Sequence, residues 1–253
     1  MNIQTYLNRI SYKEQLTVTD QTLRHLQFSH LTTVPFENLS IHAGEPITLA
    51  PHALFNKIVQ RRRGGFCYEA NGLFAALLRA LGFEVRLLSA GVANKEGVFG
   101  PPFDHMALLV ELADRWLVDV GFGDSFLWPL PIDKRDTQEQ GRFSYRILPS
   151  GNQLLLQRRD SNSSEWQPQY RFTLQAYNFP DYADMCRYHQ ESPESPFTQR
   201  RICSRATLDG GRLTLRDNTL ITTSPDGTKQ QKLLDDSEYT AVLHEQFGIV
   251  MDE

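Results

Sequence analysis

The order of hydrophobic and polar residues divides the chain into a helical part and a strand-rich part. Up to about residue 85, apolar residues recur every three or four positions, which is typical of amphipathic helices. Thr19 or Asp20 is placed to cap one helix. Val34-Pro35 ends that helix because the residue before proline avoids the α region, and Pro51 suits the first turn of another. We therefore predict a helical segment over residues 1–85.

From residue 85 onward the apolar residues form short runs separated by glycine, proline or polar turns, which favours strands. Many strands without intervening helices indicate a sandwich or a barrel. The predicted strands cover residues 85–88, 107–112, 116–120, 143–148, 153–157 and 170–174.

The last third of the chain mixes the two patterns. Residues 181–190 predict a helix, and the serine- and proline-rich stretch 192–196 predicts a linker. Strand-like pieces follow, and residues 237–247 predict a final helix. We predict an α+β protein with segments 1–85, 86–191 and 192–253.

Composition narrows the class of protein. Of 253 residues, 40% are hydrophobic and 11% aromatic, which is enough for a packed core. The formal charge of -4 and a pI near 6.0 give no reason to expect nucleic acid as a partner. The longest apolar run, 73–83, is too short to span a membrane, and no secretory signal is recognisable. Cys67, Cys186 and Cys203 form neither a disulfide framework nor a zinc motif, so we expect a cytoplasmic protein.

Residues 63–69, with the sequence RGGFCYE, are the first candidate for chemistry. Paired glycines let the backbone turn tightly, and apolar residues at helical spacing follow until Gly82. This pattern places Cys67 at a helix N-terminus, where the helix dipole and a nearby imidazolium lower a thiol pKa. The alternative is a buried structural cysteine.

His105 and Asp119 are the candidate partners of Cys67. His105 opens an apolar strand, and Asp119 lies between apolar residues, where a carboxylate is costly unless it is paired. A hairpin centred on Ala113 would place Asp119 opposite Ala107 and His105 diagonally on the same face. The three side chains would then form an activated nucleophile, in an order that resembles papain-like thiol enzymes and transglutaminases. The alternative for His105 is a core histidine whose ring nitrogens are satisfied by hydrogen bonds. A metal site is disfavoured because the sequence lacks the usual spacing of metal ligands.

Glu37 and Arg63 are a candidate pair that supports this site. Glu37 follows an apolar stretch and Arg63 precedes the glycines, so a pair would fix the loop that holds Cys67. The alternative is two solvated charges.

Several motifs in this order resemble the arylamine N-acetyltransferases. They are TLRHL at 22–26, VPFENL at 34–39, RRGGFCYE at 62–69, DH at 104–105 and VDVGFG at 118–123. The resemblance is strongest from Thr22 to Gly123. It implies a papain-like cysteine-enzyme core in three domains: a helical bundle with the nucleophile, a β-barrel with the histidine and aspartate, and an α/β lid.

The resemblance also implies a reaction. Cys67 would take an acetyl group from acetyl-CoA, the cosubstrate, and a ping-pong reaction would pass it to an arylamine, arylhydrazine or N-hydroxyarylamine, without a metal. An amide synthase or amidohydrolase with the same three residues is the alternative, and a non-catalytic binding module is a third.

By family position, the resemblance assigns further residues to the two substrates. Phe36, Val92 and Phe122 would line the acceptor pocket. Those assigned to the coenzyme or acyl group are Phe103, Gly121, Phe122, Gly123 and Phe197. The alternatives are core packing for the apolar residues and a strand-ending turn for the glycines.

Five arginines make the C-terminal segment locally basic and are candidates for the coenzyme phosphates, with a solvated face as the alternative: Arg200, Arg201, Arg205, Arg212 and Arg216.

Overall fold

The computed structural model describes residues 1–251 and begins with a group of helices. Thr19 caps the second helix by accepting a hydrogen bond from the Thr22 N–H, and that helix ends at Thr33, with Val34 as its C-cap before Pro35, as predicted. A π-helical turn, Asn56–Gln60, follows the fourth helix. The helices are α1 Ile3–Arg9, α2 Asp20–Thr33, α3 Leu39–His42, α4 Pro51–Phe55 and α5 Cys67–Ala80.

Helix α5 is the most deeply buried of these helices. Its first turn is fixed by Glu69, whose carboxylate accepts the Phe66 N–H at 3.2 Å. Its last turn is followed by Gly82 with a φ of 95°, a conformation that glycine adopts without strain. The predicted start of this helix at Cys67 and its stop at Gly82 are therefore confirmed.

Eight antiparallel strands form a curved, nearly closed barrel in the order β5-β4-β3-β2-β9-β8-β7-β6. The two outer strands are joined by the Gln138 side chain, which donates to the Pro131 carbonyl at 3.1 Å. The strands are β2 Glu84–Val92, β3 His105–Glu111, β4 Arg115–Val118, β5 Leu130–Pro131, β6 Gln138–Gln140, β7 Phe143–Ser150, β8 Gln153–Asp160 and β9 Gln167–Tyr177.

A second, five-stranded sheet occupies the C-terminal part of the chain in the order β1-β10-β11-β12-β13. Leu243 and Phe247 of the last helix form a hydrophobic cluster with Leu215 of this sheet. Its strands are β1 Phe36–Glu37, β10 Ile202–Ala206, β11 Arg212–Arg216, β12 Thr219–Thr223 and β13 Lys229–Leu233. The neighbouring helices are α6 Ala183–Glu191, α7 Pro196–Gln199 and α8 Asp236–Phe247.

The α+β class is confirmed, whereas the three segment boundaries stay a prediction. Strand β1 comes from the first predicted segment but pairs with β10 of the third. Its two residues are too few to give a strand signal. Strand β13 gives none either, because its residues are exposed and four of the five are polar.

Strand β3 joins the two main hydrophobic clusters. Met106, Leu108 and Val110 face the cluster around α5, whereas Ala107 and Leu109 face the barrel interior. Burial on both faces explains why this strand is an uninterrupted apolar run. His105 opens the strand in register with the barrel-facing residues.

A buried network of ion pairs holds the loop in front of α5. Arg63 donates to Glu37 through Nε at 3.1 Å and Nη2 at 3.3 Å, and both side chains are fully buried. Lys57 Nζ lies 2.8 Å from Glu69 Oε1 and 3.9 Å from Glu37 Oε1. A side chain at Gly64 would lie 1.9 Å from the Pro35 carbonyl oxygen, so the loop requires glycine there. The predicted pair of Glu37 with Arg63 is present.

We expect Glu37→Gln to lower the free energy of unfolding by about 3–5 kcal/mol, because it leaves the Arg63 charge buried without its partner. Burial raises the pKa of Glu37, but the charges of Lys57 and Arg63 outweigh it and hold this pKa below its usual value. The carboxylate therefore stabilises the fold above the ordinary carboxyl pKa, and this contribution is lost as the pH falls through the lowered pKa.

Urea unfolding of both proteins from pH 7 down to pH 3 measures this difference. Glu84→Gln is the matched control, because Glu84 pairs with Arg86 at the surface and should contribute less than about 1 kcal/mol. Equal stability of Glu37→Gln and the wild type at pH 7 would contradict the prediction.

Candidate active site

A cavity of about 480 Å³ lies where the N-terminus of α5, the mouth of the barrel and helix α7 meet. Cys67 and His105 both line it. The other lining residues are Phe36, Val92, Ala93, Asn94, Val98, Phe99, Gly100, Asp104, Gly121, Phe122, His189, Pro196 and Phe197.

The Asp119 carboxylate holds the imidazole of His105. His105 Nε2 lies 2.7 Å from Asp119 Oδ2, and both side chains are buried. The other oxygen, Oδ1, accepts from Asn71 Nδ2 at 2.9 Å and from the Gly121 N–H at 2.9 Å. Tyr170 donates to Oδ2 at 3.2 Å. Four donors keep this buried carboxylate in one orientation.

The pairing of β3 with β4 follows the register expected from the sequence. Leu108 pairs with Val118, so Ala107 is opposite Asp119 just beyond the end of β4. His105 is two residues further along the same face. A shift of one residue would have placed Asp119 on the other face of the sheet.

The Cys67 thiol is only 3% exposed, and its burial raises the pKa of the thiol well above the usual value. A hydrogen bond from the Met106 N–H lowers this pKa, whereas the charges of Asp119 and Asp104 raise it further. Desolvation therefore outweighs the effect of the helix N-terminus on the pKa of Cys67, and the lowered pKa expected from the sequence also required an imidazolium beside the thiol. Cys67 needs a base beside it, and His105 lines the same cavity.

Five of the residues assigned to substrates by family position line this cavity: Phe36, Val92, Gly121, Phe122 and Phe197. Phe122 packs edge-on against the His105 ring at 5.2 Å between centroids. Phe103 lines neither this cavity nor the one described below, and its ring packs instead against Tyr177 and Tyr182.

The two glycines assigned to the coenzyme have different surroundings. A side chain at Gly121 would lie 2.7 Å from Cys67 Cα, and the Gly121 N–H already donates to Asp119. Gly121 thus lets the strand end approach α5, and its amide is engaged within the site. Gly123 has a φ of 90°, and its carbonyl accepts a hydrogen bond from Arg212.

A second cavity of about 500 Å³ lies between the barrel and the C-terminal sheet. Phe36 and Phe122 line both cavities, and Gly123 lines this one. Four basic side chains line it as well: Arg142, Arg212, Arg216 and Lys229.

Two of the five candidate arginines therefore line the second cavity, and two others have structural contacts. Arg205 donates to the carbonyls of Thr32 and Gln246. Arg201 donates to Asn218 and lies over the ring of Tyr239.

Sequence reasoning missed Asn71, Tyr170 and Gln27. Asn71 holds Asp119, Met106 and Val120 together, and Gln27 accepts the Asp119 N–H at 3.3 Å. The sequence signal that points to Asn71 is a polar residue one turn after Cys67, on the same face of the predicted helix, and the structure buries it fully. Tyr170 reaches Asp119 only because the barrel closes, and nothing local in the sequence indicates that contact.

Two further kinds of feature are absent from residues 1–251. No helix in this range is long and apolar enough to cross a membrane. Nor does this part of the chain bring three or more His, Cys, Asp or Glu side chains together as a metal site.

A thiol at a helix N-terminus, facing the same cavity as an imidazole held by a carboxylate, defines a thiol enzyme of the papain-like class. Comparison with known proteins narrows this class. The sequence profile of the N-acetyltransferase family matches residues 19–253. Arylamine N-acetyltransferase of Escherichia coli K12 is 36% identical over 252 residues, covering 98% of this chain and 89% of the relative.

Comparison with solved structures leads to the same family. The arylamine N-acetyltransferase of Salmonella typhimurium superposes with a TM-score of 0.92 at 30% identity, covering 99% of this chain and 92% of that one. The Mycobacterium marinum enzyme, solved in complex with CoA, gives 0.89 at 31% identity, with coverages of 98% and 93%. The chain belongs to the arylamine N-acetyltransferases, a family of acyltransferases.

We expect His105→Asn to reduce the rate at which iodoacetamide alkylates Cys67 at pH 7 by about 100-fold or more, because the raised pKa of the thiol then leaves little thiolate. The alkylation rate of the variant should rise only at alkaline pH. Intact-protein mass against time at several pH values measures the rate. The matched control is His52→Asn, an exposed histidine of α4. A variant with the pH profile of the wild type would contradict the role of His105.

Proposed function

We propose that this protein transfers the acetyl group of acetyl-CoA to arylamines, arylhydrazines or N-hydroxyarylamines through a thioester on Cys67. One observation carries the proposal: Cys67 and His105 face a single aromatic-lined cavity, and Asp119 orients the histidine. Membership of the family and the CoA complex of the Mycobacterium marinum relative support the choice of donor. With Cys67, Cys186 and Cys203 all free thiols, we assign the reaction to the reducing cytoplasm.

In the first half of the proposed reaction, His105 takes the proton of Cys67 and the thiolate attacks the thioester carbonyl of acetyl-CoA. The carbon–sulfur bond to the coenzyme breaks, and the imidazolium returns the proton to the leaving CoA thiolate. Asp119 stabilises the imidazolium between these transfers. Cys67 then carries the acetyl group.

In the second half, the nitrogen of the acceptor, or the oxygen of an N-hydroxyarylamine, attacks the acetyl carbonyl. His105 removes the proton of the attacking atom, the bond to Cys67 breaks, and the imidazolium returns the proton to the Cys67 thiolate to restore the thiol. The backbone N–H of Cys67 lies in the first turn of α5, where amides lack helical partners, so we propose it as one donor to the oxyanion.

The first cavity suits a flat acceptor. Phe36, Val92, Phe122 and Phe197 supply an apolar lining beside the imidazole, and we propose that they hold the aromatic ring. Phe122 and Phe197 would also contact the acyl group.

The second cavity suits the coenzyme phosphates. It shares Phe36 and Phe122 with the first cavity, so a coenzyme bound there could extend its thiol end towards Cys67. Arg212 is engaged with Asp124 at 3.0 Å, whereas Arg216 and Lys229 are exposed. We therefore propose Gly123, Arg216 and Lys229 as coenzyme contacts.

We expect brief incubation with acetyl-CoA, without acceptor, to add one acetyl group to the wild type, and an aromatic amine to remove it. Cys67→Ala should remain unmodified, because it lacks the nucleophile. Cys186→Ala is the matched control, a buried cysteine outside the cavity lining, and should still be acetylated. Intact-protein mass gives the result. Absence of the acetyl adduct, with Cys67 still alkylated by iodoacetamide, would overturn the proposed donor.

We expect Arg216→Gln combined with Lys229→Gln to raise the KM for acetyl-CoA about five- to tenfold and to weaken its dependence on salt, since two cationic contacts to phosphate are removed. The KM for the acceptor should not change. Arg200→Gln is the control, because Arg200 is exposed on the same part of the chain but lines neither cavity. An unchanged KM for acetyl-CoA would place the phosphates elsewhere.

A further inference from the structure

A second histidine and carboxylate face the cavity that holds Cys67. His189 Nε2 lies 3.4 Å from Asp104 Oδ1, and both residues line the cavity. His189 is 3% exposed, and its Nδ1 is 3.1 Å from Ser195 Oγ. Its Nε2 is buried and has no hydrogen-bond partner among residues 1–251. A buried polar atom without a partner at a cavity wall is a position that a ligand can satisfy.

The position of Asp104 is fixed by its surroundings. Its Oδ2 accepts the Val92 N–H at 3.0 Å, and its side chain is 19% exposed. A side chain at Gly100 would lie 2.3 Å from Oδ2, so the loop packs directly on this carboxylate. Oδ1 is left beside His189 at the cavity wall.

Asp104 gives the cavity a negative charge when the imidazole of His189 beside it is neutral. It is the one carboxylate among the described residues that line this cavity, and these include no lysine or arginine. His105 also faces the cavity, but Asp119 accompanies it and balances any charge it gains. In an apolar, partly enclosed space, a fixed charge acts strongly on a charged ligand.

We propose that Asp104 and His189 select the acceptor. The cavity takes aromatic amines or hydrazines whose ring substituent is neutral and able to donate a hydrogen bond, and it discriminates against carboxylated arylamines. A hydroxyl, amide or amino group can donate to Asp104 Oδ1 and engage His189 Nε2, whereas a carboxylate meets a like charge. This inference rests on the proposed acetyl transfer and identifies the class of acceptor within it.

The transfer step itself provides the test. Wild type and Asp104→Asn are acetylated on Cys67 with acetyl-CoA, and loss of the acetyl group is then followed with 4-aminobenzamide or 4-aminobenzoate. These acceptors have the same shape and differ in charge. The ratio of the two transfer rates is measured within each protein and then compared between the proteins. The different basicity of the two amines is the same in every ratio and therefore cancels. We expect Asp104→Asn to raise the rate with the benzoate relative to the benzamide by about tenfold or more.

Glu96→Gln is the matched control, because it removes one negative charge from an exposed position of the nearby loop without touching the cavity lining. It should leave the ratio of the two rates unchanged. An unchanged ratio in Asp104→Asn, with normal acetylation of Cys67, would overturn the proposal. So would an equal change in Glu96→Gln, which would indicate a general effect of net charge.

A second measurement needs neither a variant nor acetyl transfer. Benzamide and benzoate carry no reacting amine, and either one shields Cys67 from iodoacetamide when it occupies the cavity. We expect benzamide to protect the wild type at a concentration about tenfold lower than benzoate. Equal protection by the two would contradict the selection of charge. Failure of Cys67 to become acetylated would instead overturn the proposed function and leave this measurement standing.

Discussion

A buried carboxylate is costly unless donors surround it, and the site of this protein depends on the donors that surround Asp119. Its two oxygens accept from Asn71, the Gly121 amide, Tyr170 and His105. These donors come from α5, the end of β4, strand β9 and strand β3. The carboxylate is therefore the point at which helix and barrel are joined, and it fixes the imidazole as a consequence.

A second set of buried charges holds the first turn of α5. Glu37, Arg63, Lys57 and Glu69 neutralise one another beneath the glycine loop, so the first turn of α5 cannot shift without separating charges in the interior. Cys67 lies between this network and Asp119. Its thiol is thus positioned by two sets of buried charges, while its own burial raises its pKa.

Local pattern was sufficient for the parts of the fold that depend on neighbours in sequence. The start of α5 at Cys67, its stop at Gly82 and the register that places Asp119 opposite Ala107 all follow from periodicity and turn chemistry. Contacts that form only when the barrel closes do not follow from local pattern, and for this reason the contact of Tyr170 with Asp119 was missed. The extent to which burial raises the pKa of Cys67 could not be inferred from the sequence, whereas its place at a helix N-terminus could.

The two cavities share a wall formed by Phe36 and Phe122, and this arrangement suits a reaction in two halves. Phosphates need basic groups, and the cavity beside the C-terminal sheet is lined by four of them; an aromatic amine needs an apolar site close to the imidazole. In the proposed reaction donor and acceptor interact with different surfaces, so the residues that bind one can vary without disturbing the other. Asp104 and His189 line only the cavity that we propose for the acceptor, so the proposed selection acts in the second half of the reaction.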